Sequence, residues 1–125
     1  MQAIRTAAEL QALLNDSPAV SACRCSLGSC PGWTSVGEER WPAARPLATL
    51  RDPELHEPTF EERHPRGTRY DSPDAPVAVA HFPYNRSELW RCEQCRRHLL
   101  RYTEYGGYYV DLRVRELAPG LDIID

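Results

Sequence analysis

Lysine is absent from this chain of 125 residues. All 15 basic side chains are arginines, set against 18 acids and four histidines, for a net charge of −3 and an isoelectric point near 5.8. That balance argues against generic attraction to nucleic acid or to an anionic membrane surface, because both need a basic field. The missing lysine is most simply codon bias in a GC-rich genome. Its functional counterpart would be selection for the planar, bidentate contacts that arginine makes and lysine does not.

Long apolar runs are missing too. Nothing approaches the roughly 18 residues of a membrane span, and the opening MQAIRTAAELQALLND is interrupted by Glu9 and Asp16, unlike the apolar stretch of an export signal. The expectation is a cytoplasmic, reducing location, where clustered cysteines bind metal more often than they form disulfides. Catalytic signatures are also lacking. There is no phosphate-binding loop, Gly-x-Gly-x-x-Gly, Gly-x-Ser-x-Gly or His-Glu-x-x-His. The acids at Glu38-Glu39 and Glu61-Glu62 read as solvated surface, His81 as a core or rim histidine, and Asp71 and Asp74 as turn formers around Pro73. The chain is therefore expected not to be an enzyme.

What is present divides the chain into segments of one domain, residues 1–125. Ile4, Ala7, Leu10 and Leu14 fall near helical spacing and predict an N-terminal helix within 1–17, ended by Asp16, Ser17 and Pro18. Residues 22–33, ACRCSLGSCPGW, hold three cysteines in a turn-rich run. Nine of the eleven prolines lie between Pro31 and Pro83, a spacing that long helices cannot cross. Residues 34–75 nevertheless carry Trp41, Leu47, Leu50, Leu55, Phe60 and Tyr70, which predicts an ordered wrap. Residues 76–117 read as an antiparallel sheet, starting with an edge strand at Pro76–Phe82.

The stretch LWRCEQCRRHLLRYTEYGGYYVDLRVREL is the most informative. Tyr108, Val110, Leu112 and Val114 alternate with Tyr109, Asp111, Arg113 and Arg115, an apolar face against a charged one. Gly106-Gly107 supplies a two-residue hairpin turn, which places Tyr105 opposite Tyr108, Thr103 opposite Val110, Arg101 opposite Leu112 and Leu99 opposite Val114. Before it, Cys92 and Cys95 form a knuckle whose two thiolates can share one cation. Tetrahedral zinc needs four such ligands. The expected set is Cys25, Cys30, Cys92 and Cys95, with Cys23 as an alternative ligand and His98 a lesser one. Four cysteines leave no open coordination position, so the Zn2+ would be structural and support folding. The expected fold is a small zinc-stapled α+β domain, in which the helix and the Pro-rich loops cover a three- to four-stranded antiparallel sheet.

The run from Pro83 to Leu117, with the upstream cysteines and CPGW, resembles the C-terminal part of small bacterial proteins of uncharacterised activity. The knuckle also resembles zinc ribbons, although these usually carry glycine right after the second cysteine, where Arg96 stands here. Cys23, Cys25, Cys92 and Cys95 are similar in spacing to the zinc cysteines of redox-regulated chaperones. Arginines and tyrosines crowd the hairpin, and Arg101, Tyr102, Tyr109 and Arg113 are the candidate partner-binding residues. The expectation is a non-enzymatic zinc-binding module for a protein partner, of the immunity or adaptor kind, acting as a monomer or weak dimer. Alternatives are a nucleic-acid-binding zinc ribbon, disfavoured by the acidic charge, and a thiol/zinc redox switch.

Overall fold

The structure is a computed structural model describing residues 2–16, 25–105 and 108–125. Its strands are β1 (Gln2–Ala3), β2 (Thr34–Val36), β3 (Ala44–Thr49), β4 (Val77–Ala78), β5 (Glu88–Cys92), β6 (His98–Tyr105), β7 (Val110–Glu116) and β8 (Ile123–Ile124), with one α-helix, α1 (Ala7–Asp16). The architecture is α+β, as expected. The sheet is larger than predicted: six strands in the order β1-β3-β5-β6-β7-β2, mixed because β1 runs parallel to β3, beside a separate parallel pair of β4 and β8.

The helix begins later than its periodicity suggested, because residues 2–3 are spent on β1. Thr6 closes its N-terminus. The Glu9 amide donates to Thr6 Oγ1 at 3.2 Å and that hydroxyl donates to Glu9 Oε1 at 3.1 Å, so Thr6 satisfies one helix-end amide that otherwise lacks a partner, and Glu9 holds the capping hydroxyl. The strand predicted at Pro76–Phe82 shrinks to Val77–Ala78. One strand was hidden by a proline. In β3, Pro46 sits beside a register shift between Pro46 and Ala48, one of the few places where a strand tolerates the missing donor.

The β6–β7 hairpin forms, with its register moved by two residues. Tyr105 faces Val110, Thr103 faces Leu112, Arg101 faces Val114 and Leu99 faces Glu116. A two-residue slip keeps every side chain on its face while lengthening the loop to take in Tyr108 and Tyr109. The Gly106-Gly107 turn itself lies outside the described residues.

Both faces of this sheet are covered. Leu99 and Leu100 are neighbours in sequence, point to opposite sides, and are both fully buried. On Leu100's side lie Leu10 of α1, Leu50, Leu89, Tyr84, Tyr102 and Trp33, whose ring meets Tyr102 edge-on at 5.0 Å and Tyr84 at 5.5 Å. On Leu99's side lie Leu27, Cys30, Val36 and Val114, with Trp41 and Trp90 at the margin. Of the wrap's predicted anchors, Leu50 is buried and Leu47 and Tyr70 pack partly, whereas Leu55 and Phe60 are exposed.

This two-sided cover corrects the reading of Arg115 as a solvated strand residue. Its side chain is fully buried. Arg115 Nε donates to Pro31 O at 3.3 Å, Nη2 donates to Pro73 O at 3.3 Å and Ala75 O at 2.7 Å, and Nη1 donates to the Tyr84 hydroxyl. One guanidinium thus ties residues 31, 73–75 and 84 to the end of β7.

Replacing Arg115 with Met would keep most of the apolar stem, release the part-buried carbonyls of Pro31 and Pro73, and strand two buried acceptors, Ala75 O and the Tyr84 hydroxyl, each costing about 1–3 kcal/mol. Urea unfolding is expected to show a loss of about 3 kcal/mol or more; a loss below about 1 kcal/mol would contradict the clamp. His98, also buried, has its pKa pushed down by burial and secondarily by Arg91. The unfolded chain then takes up a proton more readily than the native one, so His98 contributes stability above its ordinary pKa of about 6.5 that is lost as pH falls below it. Unfolding midpoints measured from pH about 7.5 to 5 should therefore fall less steeply in His98→Asn than in wild type, and equal slopes would refute this.

Candidate metal centre

β5 ends at Cys92 and β6 begins at His98, so the knuckle is the short connection between two paired strands. The Arg96 amide donates to Cys92 O at 2.8 Å, and the Cys92 amide donates to Arg97 O at 2.9 Å. To close this turn Arg96 takes a φ of 59°, the left-handed region that glycine occupies without steric cost.

Cys25 comes to the knuckle from a distant segment. The sulfurs of Cys25, Cys92 and Cys95 lie within 4.8 Å of one another. A tetrahedral zinc with bonds of about 2.3 Å separates its sulfurs by about 3.8 Å, so this cluster could hold a metal ion. Cys92 and Cys95 are buried and Cys25 is partly exposed.

Cys30, expected in the ligand set, is placed elsewhere. Its carbonyl accepts from the Glu116 amide at 2.8 Å, which lays the residue against β7 and turns its side chain in among Leu27, Val36, Leu99 and Val114. Burial pushes its thiol pKa up, the behaviour of a small apolar side chain. His98 is not part of the cluster either. Cys23 lies outside the described residues. Cys25, Cys30 and Cys92 are free thiols, while Cys95 is disulfide-bonded, to none of those three.

A residue beside the knuckle, not singled out by motif, completes the site. Arg97 is only 5% exposed. Its Nη1 donates to Cys25 Sγ at 3.4 Å, and its Nη2 donates to Gly28 O at 2.7 Å and to Glu116 Oε1 at 2.8 Å. Burial works against the Cys25 thiolate, but the Leu27 backbone amide, Arg97 and the Cys92 thiol outweigh it, and the pKa of Cys25 is lowered. The only sequence signal for this role was the position of Arg97, two residues past the second knuckle cysteine.

The candidate partner-binding residues are not brought onto one surface. Arg101 lies on the Leu99 side, its guanidinium 4.6 Å from the ring centre of Trp41 and 4.2 Å from that of Trp90. Tyr102 is buried on the opposite side, with its hydroxyl bonded to that of Tyr70; Arg113 Nη1 donates to the Tyr70 hydroxyl at 3.2 Å, and its Nε donates to Asp111 Oδ2 at 3.1 Å. Tyr109 alone sits at the open hairpin tip, with Tyr105, Tyr108 and Val110 exposed around it.

No protein-family model, curated protein or solved structure matches the chain. No helix among the described residues is long and apolar enough to cross a membrane.

Arg96→Gly should stabilise the protein by about 1 kcal/mol, because a left-handed conformation costs an L-residue about 1–2 kcal/mol and glycine's extra unfolded entropy returns part of that. Thermal unfolding measures it, and a destabilised variant would show that the Arg96 side chain matters more than its backbone.

Proposed function

We propose that, with its cysteines reduced, the chain is a non-enzymatic protein-interaction module built on a structural zinc centre, with Cys25, Cys92 and Cys95 as ligands and Cys23 as the fourth. The observation that carries this reading is the convergence of three sulfurs from two distant segments. A soft, all-thiolate donor set of this kind suits Zn2+, and Cys23 stands two residues from Cys25, in a Cys-x-Cys spacing that lets both reach one ion. A closed four-thiolate site provides no open position for substrate, so its contribution is to folding. The exposed Tyr105, Tyr108, Tyr109 and Val110 at the hairpin tip support a protein partner, since tyrosine is enriched at energetic centres of interfaces.

A second reading has its own observation. A disulfide at Cys95 and a thiolate bond from Cys95 to a metal exclude each other, so the same cysteines suit a thiol/zinc redox switch in which oxidation releases the ion.

Elemental analysis of protein purified under reducing conditions tests the centre. About one zinc per chain is expected in wild type and in Cys30→Ala, and close to none in Cys92→Ser or Cys25→Ser. Full metal content in Cys92→Ser, or none in wild type, would overturn the centre. Mild peroxide then separates the two readings: retained zinc supports the structural role, and released zinc with reversible disulfide formation supports the switch.

A further inference from the structure

We infer that Arg97 is the positioning residue that governs how firmly the metal is held, by donating a hydrogen bond to the Cys25 sulfur and offsetting the negative charge of the thiolate cluster. The inference rests on the metal-centre reading above. A divalent ion with three or four thiolates carries net negative charge, and burying such a charge without a compensating donor is costly. Arg97 is a cation that reaches this cluster, from a buried position in the residues where knuckle and β6 meet. It is fixed there at both ends of its fork. Gly28 O and Glu116 Oε1 hold Nη2, so Nη1 is aimed at Cys25 Sγ without free rotation. Its Nε is buried and has no hydrogen-bond partner, a donor left available to an anionic neighbour.

The choice of Cys25 gives the arrangement its consequence. Cys92 and Cys95 are buried in a rigid turn, whereas Cys25 is the partly exposed ligand of the three. It is the sulfur that water, chelators and electrophiles reach first. A hydrogen bond to a metal-bound thiolate withdraws electron density from sulfur and makes it a poorer nucleophile. Partners of this kind, one step out from the ligands, tune metal affinity by about 10–100-fold. The same guanidinium ties the residue 25–28 loop to β7 through Glu116, so the ligand geometry and its charge balance share one side chain.

The test compares the zinc-loaded full chain as wild type, Arg97→Met and Arg97→Lys. Zinc transfer to a chromophoric chelator should be about 10-fold or more faster in Arg97→Met, with faster alkylation of Cys25 by iodoacetamide. After replacement of zinc by cobalt, its sulfur-to-metal charge-transfer band should move to lower energy, a shift that a merely structural loss does not produce. Arg97→Lys keeps the charge but cannot bond Cys25 and Glu116 together, and should fall between the two. If Arg97→Met does not fold, Arg97→Lys decides alone. Wild-type release rate and band position in a folded variant would overturn the inference while leaving the metal centre intact. No metal in wild type would overturn the centre and this inference with it.

Discussion

A sheet buried on both faces needs two covers, and this chain has one short helix and a proline-rich wrap to supply them. The wrap carries few large apolar side chains and two of them, Leu55 and Phe60, stay exposed, so hydrophobic burial alone holds it poorly. Two buried guanidiniums do the fastening. Arg115 collects the carbonyls of Pro31, Pro73 and Ala75 on one side of the sheet, and Arg97 collects Gly28 and Cys25 on the other. Arginine is suited to this because its planar fork serves several acceptors in fixed directions. An ammonium in the same place would satisfy fewer of them.

The parts of the fold that follow from local chemistry were legible in the sequence. Cys-x-x-Cys between two strands, the β6–β7 alternation and the helix within residues 1–17 all appear in the segments where local chemistry puts them. What was not legible depends on contacts between distant segments. Alternation specifies which face a residue takes but not whether that face is wet, so Arg115 read as solvated until the wrap was seen to lie over it. Alternation is equally blind to a two-residue slip, which is why the hairpin loop grew to include Tyr108 and Tyr109. β1, with two residues, is too short for any period, and β3 is disguised by Pro46.

The cysteines divide in the same way. Cys92 and Cys95 are defined by their own turn, whereas which of Cys23, Cys25 and Cys30 join them depends on tertiary placement. The bond from the Glu116 amide to Cys30 O commits Cys30 to the apolar side of β7, and Cys25 is the one that reaches the knuckle. Arg97, adjacent to the knuckle in sequence, reaches back to Cys25 and across to Glu116. The resulting assembly joins the beginning, middle and end of the chain at one point. A metal ion there would add a further tie between the residue 25–28 loop and the sheet.

X-ray absorption at the zinc edge, on reduced protein purified without added metal, tests that central claim most directly. The account predicts a first shell of sulfur at about 2.3 Å with a coordination number near four. A shell dominated by nitrogen or oxygen, or protein without zinc, would contradict it.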